Sequence, residues 1–378
     1  MSMPPAALPL SNTEHMSDTS LLTPYLNDAS KVLPFHVETH CSHPDRDQQL
    51  IHVATTLCPS LTQQNDSPKQ LTVESLSGGL SNVLFVVRSA QGRSVLVRIH
   101  SRFLTEVERD DENRMLAWLS KRGIAPTFYG RFHNGRVEEF FQGYFPLSFK
   151  DMHLYHAQIA SLLSSLHSST VPESVLPRTN TAQCWKNIQT WFKLAKQQQQ
   201  QQQDSLDLDY IEKEAKWLQR QLNLGPSDSA LVSWCRQLVF THNDAQSLNI
   251  LRNSHGNIKL IDYEYAGWNP RVLDLANTFL EYCDMNNLNA DYVTQYPSEN
   301  QQDEFLRAYM HHDKSFSFEN TNHLQQMKQE IGKHTLISHL HWAIWSIVQA
   351  PVSDIDFDYI AYAKQRMEGY TLMKNKYF

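Results

Sequence analysis

Short runs of apolar residues separated by turn residues dominate the first third of the chain. Residues 82–88 and 94–100 are β-branched and aromatic runs on either side of a Gln91-Gly92 turn, which predicts a β-hairpin. Residues 108–121 then carry apolar side chains at helical spacing and are followed by Gly123, which predicts a helix with a glycine stop. A second hairpin is predicted around Asn134-Gly135, between residues 128–132 and 136–140.

Beyond Gly143 the spacing of apolar residues becomes helical. Residues 151–167 and 185–196 are amphipathic, and the chain from residue 302 onward is a succession of predicted helices rich in aromatic residues. A run of seven glutamines, residues 197–203, separates two of the helices. Such tracts are commonly solvated insertions, so we assign this one no chemical role.

These patterns together predict an α+β protein with two lobes and a cleft between them. A strand-rich N-lobe is expected at residues 31–143 and a mainly helical C-lobe at residues 144–378. Residues 1–30, rich in proline and small polar residues, are expected to form a disordered tail.

Composition and charge exclude several classes of protein. The net charge is −7 and the basic residues are scattered, so the electrostatic footprint of a nucleic-acid-binding protein is missing. The five cysteines are never spaced as CxxC, which favours reduced thiols. No secretory signal opens the chain, and the apolar stretch at residues 336–348 is too short to span a bilayer. We expect a cytoplasmic protein without an integral membrane segment, and a homodimer is among the arrangements left open.

The segment from Phe240 to Tyr265 carries the strongest chemical signal. Asp244 follows an apolar strand, and Asn249, five residues later, is placed to return its side chain to the same space. Asp262 ends the next apolar strand, and strand alternation would point Glu264 in the same direction.

Phosphoryl transfer requires the side chains that this segment offers. One carboxylate must orient the attacking hydroxyl and accept its proton, and hard oxygen ligands must hold Mg²⁺ against the phosphates. Asp244 is the expected base, with Asn249, Asp262 and Glu264 as metal ligands. Either aspartate alone would be read as an ordinary turn residue, but the spacing of Asp244 and Asn249 is that of a kinase catalytic loop.

A glycine-containing turn before the first hairpin is a weaker signal for phosphate binding. Backbone amides beside glycine approach phosphate oxygens closely, although Gly-Gly before a strand is usually only a turn. We expect Arg98 on the partner strand to pair with Glu112 on the following helix and to contact the phosphates of ATP. Taken alone, Arg98 is equally well interpreted as a surface residue of the strand. The candidate turn residues are Gly78, Gly79, Ser81 and Asn82. Residues 135–143 are interpreted as the lobe connector, with Glu139 and Phe140 beside the adenine.

Taken in order, the motifs resemble those of the choline/ethanolamine kinase family. They are Gly78-Gly-Leu-Ser-Asn82, Val95-Leu-Val-Arg98, Gly135-Arg-Val-Glu-Glu-Phe140, His242-Asn-Asp-x-x-x-x-Asn249, Ile261-Asp-Tyr-Glu-Tyr265, Asp274-Leu-Ala-Asn277 and the helix from His339 to Gln349. The resemblance covers roughly residues 71–370. It implies a protein-kinase-like two-lobe fold, ATP and Mg²⁺ as cofactors, and phosphorylation of a small amino alcohol in phospholipid biosynthesis.

The resemblance also implies an amine pocket. Gln246 and Glu281 would line it beside Asp244, with aromatic walls from Trp342, Trp345, Phe357 and Tyr362. An aromatic cage suits an amine through cation–π attraction. For each tryptophan alone, ordinary core packing is an equally good interpretation.

Ethanolamine is the expected substrate, with choline or dual specificity as the alternative. A primary ammonium requires oxygen acceptors, and residues 284–291 are polar and poor in aromatic side chains. The sequence of residues 261–267 resembles that of the ethanolamine kinases of the family, whereas the sequence of residues 345–350 resembles that of the choline kinases. An aminoglycoside-type kinase would need an acidic pocket in place of the tryptophan helix. A pseudokinase would have lost Asp244, Asn249 or Asp262.

Overall fold

The computed structural model describes residues 31–37, 45–62, 71–76, 83–100, 106–199, 206–222, 229–285, 287–313, 315–316, 321–353 and 357–378. The chain divides into two compact units. The first unit contains the described residues up to Phe145, with Pro172–Pro177 and Asn253–Asn257. The second unit contains Pro146–Val171, Arg178–Arg252 and Ile258–Phe378. The boundary that we expect between residues 143 and 144 stays a prediction.

The first unit is built on a six-stranded sheet. Its strands, in chain order, are β1 (Lys31–Leu33), β2 (Leu71–Leu76), β3 (Val83–Ser89), β4 (Ser94–Ile99), β5 (Phe128–Phe132) and β6 (Gly135–Glu139). Their order in the sheet is β1-β5-β6-β4-β3-β2, with β1 parallel to β5 and the other neighbours antiparallel. Two helices, α1 (Arg46–Leu57) and α2 (Glu106–Ser120), complete the unit. The two predicted hairpins and the predicted helix are confirmed.

Helix α1 packs on the sheet because its apolar residues recur on one face. Leu50, Val53, Ala54 and Leu57 follow the spacing of three and four residues, and all four are buried. They belong to one core cluster with alternate residues of the strands, such as Val87, Val97 and Val137. Burying a side chain of this size contributes about 1.5–3 kcal/mol, so this face holds the helix to the sheet.

Gly135 is required by a close approach of two strands. The turn of the second hairpin lies at His133 and Asn134, and Gly135 is already the first residue of β6. A Cβ atom on Gly135 would lie 2.3 Å from the carbonyl oxygen of Arg98 on β4. The glycine therefore lets β4 and β6 pair closely, whereas the sequence indicated only a hairpin turn at Asn134-Gly135.

The segment that we interpreted as a lobe connector begins inside the sheet. Residues Gly135–Glu139 form β6, paired with β4 on one side and β5 on the other, so only residues 140–143 precede the short strand β7 (Tyr144–Pro146). The expectation that residues 135–139 belong to a connecting segment is therefore wrong.

The second unit is mainly helical. Its helices are α3 (His156–His167), α4 (Gln183–Gln199), α5 (Leu208–Leu222), α6 (Ala230–Arg236), α7 (Arg271–Leu280), α8 (Glu299–His312), α9 (Thr321–Gln349) and α10 (Tyr359–Tyr377). Short strands β8 (Leu238–Thr241), β9 (Ile250–Asn253), β10 (Ile258–Leu260) and β11 (Gly267–Pro270) carry the candidate catalytic segment.

The glutamine tract begins inside a helix. Gln197, Gln198 and Gln199 form the last turn of α4, and residues 200–203 lie outside the described part of the chain. The expectation that the whole tract lies between two helices is wrong at its first three residues, because glutamine is a good helix former. Within the described residues, no helix combines the length and the apolarity that crossing a membrane requires.

Candidate active site

The loop after β8 fixes the carboxylate of Asp244 with two amide side chains. Gln246 Nε2 donates to Oδ2 of Asp244 over 3.1 Å, and Asn249 Nδ2 donates to the same oxygen over 2.8 Å. Asn249 Nδ2 also donates to the carbonyl oxygen of Asp244 over 2.9 Å. No described residue donates a hydrogen bond to Oδ1 of Asp244, so this oxygen is left to accept one from a hydroxyl.

The electrostatic environment makes Asp244 a stronger base than an exposed aspartate. Burial raises the pKa of Asp244 well above its ordinary value, and the charges of Glu281 and Asp262 raise it further. The hydrogen bonds from Gln246 and Asn249 partly oppose this rise. A carboxylate with a raised pKa accepts a proton more readily in a transition state.

His242 ties the catalytic loop to the residue that precedes Asp262. The amide N–H of Asp244 donates to His242 Nδ1 over 3.2 Å, and His242 Nε2 donates to the carbonyl oxygen of Ile261 over 3.0 Å. These partners require the neutral ring with its proton on Nε2, and burial lowers the pKa of His242 accordingly. The amide of Ile261 also donates to the carbonyl oxygen of Asn249 over 2.9 Å. Two links therefore hold Asp262 beside the loop.

The backbone is strained at two residues of this segment. Asn243 and Asp262 both have a φ angle of +67°, in the left-handed region that non-glycine residues rarely adopt. Such conformations concentrate at functional sites, where the surrounding structure enforces them. Because β10 ends at Leu260 and Asp262 turns the chain, strand alternation does not continue to Glu264. The use of strand alternation to place Glu264 on the same side as Asp262 is therefore wrong. That Glu264 is a metal ligand stays a prediction.

A buried aspartate on α7 anchors the backbone of the catalytic loop. Asp274 accepts hydrogen bonds from the amides of His242 and Asn243, each over 2.8 Å, and lies 2.9 Å from His167 Nε2. His167 Nδ1 in turn lies 2.7 Å from the hydroxyl of Tyr309. Although burial alone would raise the pKa of Asp274, the hydrogen bond from His167 and the neighbouring groups lower it. The carboxylate therefore stays ionised and fixes the loop.

Asn277 connects the same loop to the tryptophan helix. Its Nδ2 donates to the carbonyl oxygen of Asn243 over 3.1 Å. Its Oδ1 accepts from Trp342 Nε1 over 3.1 Å and from Ser338 Oγ over 2.7 Å, and both of these residues lie on α9. The position of Trp342 is therefore coupled to the backbone next to Asp244.

The aromatic residues named from the sequence form one continuous cluster. Ring centroids of Trp342 and Trp345 are 5.6 Å apart, and those of Phe357 and Tyr362 are also 5.6 Å apart. Two further rings extend and join these pairs. Tyr265 lies 5.2 Å from Trp342, and Tyr359 lies 5.9 Å from Trp345 and 5.0 Å from Phe357. Trp345 and Tyr362 are fully buried, whereas Phe357 is partly exposed.

Glu281 is a buried acid with few partners. Burial raises its pKa to about 7, with the charge of Arg366 opposing this rise and that of Asp284 adding to it. Arg366 Nη2 lies 4.0 Å from Oε1 of Glu281, and no described residue donates a hydrogen bond to this carboxylate. The oxygens of this carboxylate are therefore left to accept hydrogen bonds from a ligand.

In the first unit, the candidates Arg98 and Glu112 belong to a largely buried ion cluster with Arg136 and Glu138. Arg98 Nε lies 3.3 Å from Oε1 of Glu138, Arg136 Nε 2.8 Å from Oε2 of Glu138, and Arg136 Nη1 2.7 Å from Oε1 of Glu112. Burial alone would raise the pKa of Glu112, but the charges of Arg136, His100 and Arg98 lower it to about 2. The sequence missed Arg136, which is the residue that pairs directly with Glu112; Arg98 acts on Glu112 only through its charge.

Of the remaining candidates for nucleotide binding, Glu139 and Phe140 lie within the described residues and the glycine-containing turn does not. The Glu139 carboxylate accepts hydrogen bonds from the amide and hydroxyl of Thr127 over 3.0 and 2.7 Å. The guanidinium of Arg88 lies 4.9 Å from the ring centroid of Phe140. The glycine-containing turn lies outside the described residues, and it comprises Gly78, Gly79, Ser81 and Asn82.

The residues expected to hold Mg²⁺ fit that ion chemically. Among the described residues, no cluster of three or more His, Cys, Asp or Glu side chains is arranged around a metal position. Mg²⁺ does not need one, since it binds to one or two protein ligands together with phosphate and water. Because Asn249 donates to Asp244 through Nδ2, its carboxamide oxygen remains available as a hard ligand, and the carboxylate of Asp262 is of the same chemical kind.

Comparison with known proteins gives the family. The family model described as choline/ethanolamine kinase matches residues 73–371. Probable choline kinase 3 of Arabidopsis thaliana is 31% identical over 349 residues, 89% of this chain and 95% of that protein. Probable ethanolamine kinase A of Dictyostelium discoideum is 31% identical over 323 residues, 81% of this chain and 86% of that protein. The crystal structure of choline kinase from Cryptosporidium parvum Iowa II is 27% identical and superposes with a TM-score of 0.73, covering 87% of this chain and 95% of that one.

The chain belongs to the choline/ethanolamine kinase family. The predicted family, the protein-kinase-like α+β fold and the enzyme class, an ATP-dependent phosphotransferase, are confirmed. Relatives named as choline kinases and as ethanolamine kinases match at the same identity. The choice of amine therefore has to be argued from the residues of this chain.

Proposed function

We propose that this enzyme transfers the γ-phosphoryl group of ATP to the hydroxyl of ethanolamine, giving phosphoethanolamine. This is the first step of the CDP-ethanolamine route to phosphatidylethanolamine. The observation that carries the proposal is the carboxylate of Glu281, buried near Asp244 without a hydrogen-bond donor from any described residue. A primary ammonium has three N–H donors, and a hydrogen-bond donor is what this carboxylate lacks.

Asp244 acts as the base in the proposed mechanism. Its Oδ1 accepts the hydrogen bond of the substrate hydroxyl, while Gln246 and Asn249 hold Oδ2. As the hydroxyl oxygen bonds to the γ-phosphorus, the bond between that phosphorus and the β,γ-bridging oxygen breaks and ADP leaves. The hydroxyl proton passes to Asp244. Mg²⁺, when bound, neutralises the negative charge that spreads over the phosphoryl oxygens.

The first unit supplies fixed positive charge for ATP. Arg98 and Arg136 remain protonated in their buried cluster, and arginine keeps its charge at every physiological pH. Arg98 is the residue that we assign to the phosphates, with the turn containing Gly78 and Gly79 covering them. Glu139 and Phe140 are assigned to the neighbourhood of the adenine.

The amine pocket combines an acid with aromatic faces. Glu281 would bind the ammonium group, and Trp342, Trp345, Phe357 and Tyr362 would surround its carbon atoms. The polar stretch at residues 284–291 is proposed to close one side, where oxygen acceptors can pair with N–H groups. Trimethylation would leave those acceptors unpaired at a cost of about 1–3 kcal/mol each, so choline should be the slower substrate.

A comparison of kcat/KM for ethanolamine and choline with the same enzyme preparation tests this choice. We expect ethanolamine to be preferred by roughly one or two powers of ten, as the cost of unpaired acceptors implies. Kanamycin and a reaction without acceptor serve as controls for other kinase activities. A preference for choline would show that the aromatic cluster, and not the polar stretch, determines specificity; this second candidate is favoured by the number of rings in the cluster.

We also propose that the enzyme works in the cytoplasm, where ATP and free amino alcohols are available. Imaging of the full-length chain with a fluorescent tag in cells tests this location. Diffuse cytoplasmic signal is expected, and accumulation inside an organelle would contradict it.

A further inference from the structure

Arg366 lies on α10, next to Tyr362 and Glu281, two residues that we propose to line the amine pocket. Its side chain is 1% exposed, and both Nε and Nη2 donate to the hydroxyl oxygen of Tyr362, over 2.9 and 2.6 Å. Tyr362 precedes Arg366 by four residues, so the two side chains lie on the same face of the helix. The phenol oxygen accepts two hydrogen bonds from one guanidinium, which fixes the orientation of this ring.

The same guanidinium also faces Glu281. The distance of 4.0 Å from Nη2 to Oε1 is that of an ion pair without a direct hydrogen bond. Arg366 therefore stabilises the charge of Glu281 but leaves its oxygens to a ligand. Without a positive charge nearby, a carboxylate at this depth would take up a proton, because burial disfavours its ionised form.

The other groups around Arg366 do not replace its charge. His339 on α9 is fully buried and neutral, since burial and then the charge of Arg366 lower its pKa well below the ordinary value. Tyr292 packs edge-on against His339 at 5.1 Å, and Gly369 on α10 leaves room for both rings. Among the described residues, the other charged group that acts on Glu281 is Asp284, which is itself negative. Among the described neighbours, the compensating charge for Glu281 comes from Arg366.

We propose that Arg366 is a positioning residue for the amine pocket, which orients the ring of Tyr362 and favours the ionised form of the Glu281 carboxylate that faces the substrate ammonium. The inference rests on the proposed role of Glu281 in binding the amine. Arg366 is assigned no contact with ATP, so its effect should be confined to the amine. A role in folding alone would instead lower stability without this selectivity.

The first test compares Arg366→Met with Lys364→Met, a matched substitution of an exposed basic residue on the same helix. Arg366→Met should raise KM for the amine by about tenfold or more, the change that one lost charge interaction typically produces, while KM for ATP stays within about twofold. Lys364→Met should change neither. Equal increases in both KM values, or a fall in kcat alone, would overturn the proposal.

Two further variants separate positioning from folding. Arg366→Lys keeps the charge but loses the planar fork, so it should recover part of the amine affinity. Combining Arg366→Met with Glu281→Gln should add little to the effect of Glu281→Gln, because the charge to be stabilised is already absent. Fully additive effects, or no difference between the lysine and methionine variants, would contradict the proposal. If Arg366→Met does not fold, Arg366→Lys decides: an unchanged KM for the amine would overturn it.

An assay without turnover distinguishes this inference from the proposed function. Ethanolamine and choline, each added alone, should raise the melting temperature of the wild-type enzyme, and this shift should shrink in Arg366→Lys and Arg366→Met. If wild type phosphorylates choline better, the substrate assignment fails while the loss of the choline-induced shift still supports Arg366. An equal shift in wild type and both variants would overturn the role of Arg366.

Discussion

At the scale of single residues, Asp244 is the side chain on which the proposed chemistry depends. Asp244→Ala should lower kcat by orders of magnitude, because the hydroxyl loses the group that orients it and accepts its proton. ATP binding should persist, since the first-unit cluster is untouched. Asp209→Ala, at an aspartate whose side chain is 92% exposed, is the matched control and should keep full activity. Turnover near that of wild type in a folded Asp244→Ala enzyme would refute the assignment.

Asp262 is a good position for testing the metal site, because its backbone conformation can be kept in a variant that removes only the charge. Asparagine adopts a φ angle of +67° about as readily as aspartate, whereas alanine is strained there. Asp262→Asn should therefore keep the fold while weakening Mg²⁺ binding, since a neutral amide is a poorer ligand for a hard dication. Titrating activity against Mg²⁺ and Mn²⁺ should show a much higher metal requirement. An unchanged requirement would show that Asp262 is not a metal ligand.

At the scale of elements, the residues found from the sequence are those that lie close together along the chain. Asp244, Asn249 and Asp262 come from one strand-loop-hairpin segment, so their spacing alone indicated a shared site. Arg136, His167 and Arg366 were missed because each has a partner that is distant in sequence; His167 and Asp274, for example, are 107 residues apart. Such pairs depend on how helices pack, which local periodicity does not report.

Backbone conformation set a second limit on prediction. The alternation of apolar residues correctly predicted the hairpins, yet it gave no sign that Asp262 turns the chain out of strand geometry. The hairpin at Gly135 was predicted correctly. The sequence did not show why a glycine is needed there, which is the close approach of the Arg98 backbone on a neighbouring strand. Sequence patterns therefore gave the elements and the catalytic spacing, while close approaches and strained residues required the folded chain.

At the scale of the whole molecule, buried histidines make stability depend on pH in both units. His100 in the first unit and His334 and His341 in the second have pKa values lowered by burial to about 3, 4 and 3, and burial also lowers the pKa values of His242 and His339. In the unfolded chain each histidine titrates at about 6.5. Below that pH the unfolded state binds more protons, so these five groups stabilise the fold fully only above about pH 6.5.

Two buried acids act in the opposite direction. Burial raises the pKa of Glu281 to about 7 and that of Asp244 well above its ordinary value, so both bind protons in the folded state before they do in the unfolded one. They contribute stability that grows as the pH falls towards the ordinary carboxylate range. Because five histidines act against two acids, the histidines dominate and unfolding takes up protons between about pH 5 and 6.

The free energy of unfolding should therefore fall as the pH is lowered from about 7.5 to 5.5, and one histidine can be removed to measure its share. His334→Gln keeps a donor for the carbonyl oxygen of Glu330, which His334 Nδ1 contacts at 2.7 Å, but cannot take up a proton. Over this range it should reduce the slope by about half a proton on average, or about 0.7 kcal/mol per pH unit. His255→Gln, at an exposed histidine, is the matched control and should leave the slope unchanged. Denaturant unfolding at a series of pH values measures both slopes; an identical slope in His334→Gln and wild type, or stability that rises on acidification, would contradict the assignment of the buried neutral histidines.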